Sequence, residues 1–309
     1  MECLFFGDVD GTFFDFDTVS KNRKIKYPML PDDLTVRITE SKKVKIPPKQ
    51  SGEKRILSVD LALMASGKRR KNDASAIFVD QLIPTRTGRY INNIVYTESS
   101  EGEHTADQAL RVRELYDMYS CDYIVIDVRG VGIGVADCLV RDITNPETGE
   151  VYPALSCCND ANWAARCATH GAEKALWVIN ATDKFNSECA ILLRDGFRSG
   201  KVRLLDTEYD GEVSLGALKG YKSLDPEWKL EMQMPYINTT LLINELINLR
   251  HEESGGMVRL FRSHGVRKDR YSSLSYAYYV ACQLESKIRR RNSGESTQSM
   301  FLFRAPKIK

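Results

Sequence analysis

Two short apolar runs, each closed by an aspartate, constrain this chain more than any other feature. The first is Arg55-Ile56-Leu57-Ser58-Val59-Asp60 and the second is Tyr123-Ile124-Val125-Ile126-Asp127. Short runs rich in β-branched residues read as buried strands. A carboxylate among such neighbours is costly to desolvate unless a cation or a donor meets it. Two strand-terminal acids therefore point to an α/β fold with a divalent-metal site, because hard cations take rigidly aimed oxygen ligands. A third acid, Asp269, opens the last long amphipathic segment, whose stripe is Tyr271, Leu274, Ala277, Tyr278, Ala281, Leu284 and Ile288. Taken singly, each acid also has a plain structural role, as a turn cap or as a charge offsetting a helix dipole.

The pattern around these acids predicts strands at 55–62, 74–80 and 90–97, the first two forming an antiparallel hairpin. A helix follows from Thr105, with Ala109, Val112, Leu115, Tyr116 and Tyr119 on one face. After the strand ending at Asp127 come a glycine turn and a helix to about residue 141. The remainder reads as strand 174–180, helix 183–199, strand 202–205, an irregular or hairpin-like stretch 206–236, helix 241–251, strand 257–262 and helix 268–289. Three antiparallel strands followed by α/β alternation do not make a doubly wound sheet. They predict a ribonuclease H-like mixed sheet flanked by helices. Residues 1–50 lack a clear period and are punctuated by proline, so they read as an N-terminal linker arm, with the body at 51–289 and a flexible tail at 290–309.

Several function classes are excluded. The stretch Arg129-Gly130-Val131-Gly132-Ile133-Gly134 invites a dinucleotide fingerprint, but Asp137 stands where the third glycine belongs. The glycines read instead as room for backbone to pass close to a metal or phosphate. No phosphate-binding P-loop exists, since Gly67-Lys68 is followed by Arg69 and Gly200-Lys201 by Val202. Eight cysteines without a C-x-x-C pair and four histidines argue against zinc, and the adjacent Cys157 and Cys158 suit reduced thiols. The start carries no basic leader, and no apolar run approaches the roughly 20 residues that span a bilayer, so the chain reads as cytosolic with no membrane partner.

A net charge of +2 means that any nucleic-acid binding must come from local patches. Lys68, Arg69, Arg70 and Lys71 crowd one loop, which reads either as a solvated turn or as a contact to phosphates. Arg129, Lys268 and Arg270 flank the acids and are further DNA-binding candidates, beside Arg267. Asp73 is a possible neighbour of the site or a turn cap, and His264 a loop histidine.

Together these pieces resemble the C-terminal nuclease domain of the phage terminase large subunit, the DNA-packaging motor protein. The resemblance is carried by Phe5-Phe6-Gly7 with Gly11-Thr12-Phe13-Phe14, by Ser58-Val59-Asp60-Leu61-Ala62 with Asp73-Ala74-Ser75-Ala76, by Ile124-Val125-Ile126-Asp127 with Gly130 to Asp137, and by Lys268-Asp269-Arg270 with Leu274-Ser275-Tyr276-Ala277. It implies metal-dependent endonuclease cleavage of double-stranded viral DNA concatemers, with low sequence specificity, in the host cytoplasm during virus assembly. The implied cofactors are two divalent ions, Mg²⁺ or Mn²⁺, with Asp60 bridging both and Asp127 and Asp269 each holding one. One ion activates water and the other steadies the leaving oxygen. The implied partners are double-stranded DNA, the small terminase subunit and the portal or procapsid. Residues 1–50 resemble the exit from an ATPase domain, and the isolated nuclease domain is expected to be monomeric. Many members of that family carry a further acid three positions after the first in the third motif, where this chain has Ser272. The alternatives are a Holliday-junction resolvase or transposase-like nuclease of the same fold, and a non-catalytic docking module.

Overall fold

The computed structural model describes residues 12–61, 75–100, 104–262 and 268–293. The chain opens with α1 (Phe16–Ser20), β1 (Arg23–Ile25) and α2 (Asp32–Thr35), then lays down β2 (Lys54–Asp60), β3 (Ser75–Pro84) and β4 (Tyr90–Ser100). Next come α3 (Thr105–Met118), β5 (Tyr123–Asp127), α4 (Gly132–Leu139), the short strands β6 (Ile143–Thr144), β7 (Val151–Tyr152) and β8 (Leu155–Cys157), and α5 (Ala161–Ala164). The last third holds β9 (Glu173–Ile179), α6 (Asp183–Arg198), β10 (Val202–Leu205), α7 (Glu208–Gly216), α8 (Pro226–Ile247), β11 (Leu249–Ser254), β12 (Met257–Arg262) and α9 (Asp269–Ser293).

Eight of the described strands make one mixed sheet in the order β1-β10-β4-β3-β2-β5-β9-β8. Its heart, β4-β3-β2-β5-β9, is the 3-2-1-4-5 arrangement of the ribonuclease H-like fold: antiparallel through β2, β3 and β4, then parallel through β5 and β9. The expected fold class is therefore the one observed. The central strands are apolar on both faces because helices cover both. Leu57, Val59, Ile124 and Ile126 belong to one core cluster, shared with residues of α3 and α4. Ile56, Phe78, Val125 and Trp177 belong to the other, shared with α6, α8 and α9. A 16-residue helix such as α6 starts where Thr182 accepts the N–H of Phe185 and ends at Ser199, so its first turn is fixed by a cap and its apolar stripe by the sheet.

Two parts of the sequence reading are corrected. Residues 12–50 are built into the body and are no linker arm. Phe14, Leu30 and Val44 are buried, and β1 is an edge strand of the main sheet, parallel to β10. Their sequence shows no period because they contribute single anchors from irregular backbone. The stretch 206–236 is helical where an irregular segment was expected. Pro226 sits in the first turn of α8, where its fixed φ suits a helix start, while Pro235 lies inside it. Apolar residues all round α8 hide the one-sided stripe by which a helix is usually recognised.

Among the described residues, no helix is long and apolar enough to cross a membrane.

Candidate metal centre

The register that pairs Val59 of β2 with Ile126 of β5 sets Asp60 and Asp127 side by side one residue further on. They occupy the carboxyl ends of adjacent parallel strands, which run about 4.8 Å apart. Ser58 faces α9, where its hydroxyl lies 3.0 Å from that of Ser273, and the period of two puts Asp60 on the same side. Val125 joins the same core cluster as α9, so Asp127, two residues on, points that way too. Asp269 is the first residue of α9. The structure thus brings together all three acids singled out in the sequence.

Their electrostatics are strained without a cation. Burial first, then the nearby Asp269 carboxylate and also Asp127, push the Asp60 carboxyl up to about 8, against the nearby Ser272 hydroxyl and the charge of Lys268. Burial raises Asp127 as well, offset by backbone N–H donors from Arg129 and Ala181 and by the Arg129 charge. The Arg129 N–H reaches Asp127 Oδ1 at 3.1 Å. Among the described residues, no three His, Cys, Asp or Glu side chains already stand close enough to enclose an ion. The centre is an open constellation of carboxylates. Its all-oxygen donor set and mutual repulsion fit a hard divalent cation, which takes such ligands and relieves such charge.

The glycine turn after Asp127 serves Asp127 itself. A Cβ on Gly132 would lie 1.8 Å from the Asp127 carbonyl oxygen, so only glycine lets α4 begin so close to the strand end. Gly130 has a φ of +72° with open space around it.

Two residues hold the third acid in place, and one of them was missed in the sequence. Glu245, on α8, accepts the Tyr271 backbone N–H at 3.0 Å and the Arg270 guanidinium at 3.0 Å, so it caps α9 from a neighbouring helix. Its signal was present: a lone acid among Leu242, Ile243 and Leu246. The other is Arg270, expected to contact DNA. It is buried, and its guanidinium also donates to Ser99 at 2.8 Å and Asn238 at 3.1 Å, so that expectation is corrected. Burial and the pull of Glu245 turn this side chain inward, whereas Lys268 is exposed beside Asp60. The Arg129 guanidinium donates to the Ala181 carbonyl and ties the loop after β5 to the end of β9. Lys68, Arg69, Arg70, Lys71 and Asp73 lie outside the described residues, as do His264 and Arg267.

A cavity of about 360 Å³ opens beside the centre, with Lys268, Ser272, Tyr276, Asn186, Arg259 and Met257 in its walls.

No protein-family model matches the sequence, and no curated protein matches it. Solved structures similar to it include large terminase proteins of phages. The magnesium-bound large terminase nuclease of the thermophilic phage G20c is 16% identical, with 88% of this chain and 98% of that chain covered and a TM-score of 0.48. The nuclease domain of the large terminase subunit gp2 of bacterial virus Sf6 is 10% identical, with 88% and 98% covered and a TM-score of 0.42. The large terminase of bacteriophage HK97 is 9% identical over 87% of this chain and 43% of that chain, with a TM-score of 0.43.

Proposed function

We propose that this chain is a divalent-metal-dependent endonuclease domain of a viral DNA-packaging motor, cutting double-stranded DNA concatemers. The observation that carries the reading is the triad of carboxylates, with Asp60 and Asp127 register-matched on β2 and β5 and Asp269 acting on Asp60 from the start of α9. The motif order that resembles terminase large subunits supports the assignment to packaging.

Asp60, Asp127 and Asp269 would hold two ions, Mg²⁺ or Mn²⁺, with Asp60 shared between them. When bound, such ions activate water and stabilise the departing oxygen of a phosphodiester. The protein's own part is aim and charge. The β2 and β5 ends fix two carboxylates on rigid backbone, and the Glu245 cap fixes the third. Exposed Lys268 would meet a backbone phosphate near the scissile bond, and Lys68, Arg69, Arg70 and Lys71 would add further phosphate contacts. These contacts carry no base information, so sequence specificity is low. In this reading the domain is monomeric when isolated and works in the host cytoplasm during assembly, with the small terminase subunit and the portal as partners of the whole motor.

The test is plasmid cleavage by the chain with Mn²⁺, Mg²⁺ or EDTA, beside Asp60→Asn and Asp127→Asn. Metal-dependent cutting that disappears in both folded variants supports the reading. Equal cutting by wild type and variants, or none with either metal, removes it and leaves a docking module.

A further inference from the structure

We infer that Arg129 is a positioning residue for Asp127, stapling the strand end that carries this carboxylate to the turn where α6 begins, and that it is not a contact to DNA phosphates; the inference rests on the metal-centre reading above. Two hydrogen bonds carry it. The Arg129 backbone N–H reaches Asp127 Oδ1 at 3.1 Å, and the guanidinium Nη1 donates to the Ala181 carbonyl. One residue therefore holds the acid with its main chain and the exit of the neighbouring strand with its side chain. The β5–β9 ladder, which pairs Asp127 with Ile179, continues through the Val128 N–H to the Ile179 carbonyl at 2.9 Å. Ladder, turn and staple thus fix three consecutive residues against the end of β9 and the chain that leaves it.

The consequence for Asp127 is directional. A hydrogen bond from two residues on closes a small side-chain turn, so Oδ1 faces its own loop while the carboxylate keeps lone pairs for an ion. That turn runs into Gly130, whose φ is +72°. Glycine populates many conformations, so the loop takes its restraint from the staple just before it. The anchor is firm: Ala181 is 8% exposed and precedes Thr182, whose hydroxyl caps α6 by accepting the Phe185 N–H. The first turn of α6 brings Asp183 and Asn186 to the cavity beside the centre, so losing the staple loosens the ligand and the cavity wall together. Groups that orient a ligand typically change metal affinity about 10–100-fold when removed. Charge alone predicts the reverse. The Arg129 cation acts on Asp127, and removing a cation near the site strengthens the hold on a divalent ion.

The experiment is Mn²⁺ titration of the full chain without DNA by electron paramagnetic resonance, for wild type, Arg129→Ala and Arg129→Lys. Thermal melting in EDTA and duplex binding in EDTA across a salt series accompany it. The backbone N–H is present in every variant, so the substitutions test the staple. Expected is a loss of about tenfold or more in Mn²⁺ affinity for Arg129→Ala, with the salt slope of duplex binding unchanged. Arg129→Lys, which keeps a cationic donor on a long stem, should restore most of that affinity. Affinity equal to or above wild type in Arg129→Ala would overturn the inference and leave the nuclease reading standing, as would a Lys variant as weak as Ala. A salt slope shallower by about one in Arg129→Ala would overturn it as well, marking Arg129 as a phosphate contact. Should wild type bind Mn²⁺ no better than Asp60→Asn, the metal centre itself is wrong and the role of Arg129 goes with it.

Discussion

The backbone N–H of Tyr271 donates 3.0 Å across a helix–helix boundary to the carboxylate of Glu245. The same carboxylate pairs with the buried Arg270 guanidinium, so one side chain of α8 sets both the start and the rotation of α9. Burial raises its pKa, and the Tyr271 N–H and the Arg270 charge oppose that rise. Glu245→Ala leaves Arg270 buried and unpaired, which costs about 3–5 kcal/mol. Glu245→Gln keeps an acceptor for Tyr271 and should lose less. Denaturant unfolding of both variants checks the order, and an alanine variant as stable as wild type would refute the clamp.

Gly132 and Gly130 should respond differently to alanine. At Gly132 the new Cβ meets the Asp127 carbonyl oxygen at 1.8 Å, a backbone atom that moves only if the strand end moves. Gly132→Ala should therefore lose Mn²⁺ binding along with stability. Gly130→Ala meets nothing nearby and should cost only the left-handed backbone penalty, roughly 1–2 kcal/mol, with Mn²⁺ binding kept. Calorimetric titration of the two variants separates them.

Removing the metal should reverse the ranking of wild type and Asp60→Asn. Burial with Asp269 and Asp127 makes the charged form of Asp60 unfavourable, so in EDTA the neutral asparagine variant is expected to melt higher. With Mn²⁺ at a hundred times its dissociation constant, wild type gains about 2.7 kcal/mol and the variant gains none. Melting curves with and without Mn²⁺ decide the matter, and an unchanged ranking would count against the triad as a metal centre.

Asp80 supplies a pH signature away from the site. Burial pushes its carboxyl up to about 7, against a hydrogen bond from Asn92 that is 2.9 Å long. Because this value lies above that of the unfolded chain, the fold holds the proton more tightly. The stability it brings is present below the usual carboxylate range and is lost as pH rises through about 7. Asp80→Asn removes that loss and offers an N–H to Asn92 Oδ1, which has no hydrogen-bond partner among the described residues. The variant's stability advantage should therefore grow from acid to alkaline pH, on the order of a few kcal/mol. A constant difference between the two proteins in urea unfolding across that range would show the proton to be irrelevant.

The strand ends were legible because period and composition agree there: Ile124, Val125 and Ile126 are apolar, short-range and buried, and Asp127 breaks the run. Asp269 was legible as a helix start, since its apolar stripe repeats over many turns. What the sequence hid are relations with no local signature. The Glu245 cap joins residues on different helices, and the inward turn of Arg270 depends on Ser99 and Asn238 being nearby. The early segment was misread because Phe13, Phe14 and Leu30 are buried from irregular backbone, where no period marks them. The glycines after Asp127 were read as room for a metal or phosphate, whereas at Gly132 the atom that leaves no room for a Cβ is the Asp127 carbonyl oxygen.

In the proposed metal centre, the third carboxylate in chain order is also the last to be made. Domains emerge from the ribosome amino end first. Asp60 and Asp127 therefore leave it well before Asp269, and β1 must wait for β10 to appear before its edge of the sheet can close. A nascent chain halted before α9 lacks both the third carboxylate and the helix that covers β2, so it cannot assemble the centre. On the proposed reading, competence to cut would therefore wait for α9.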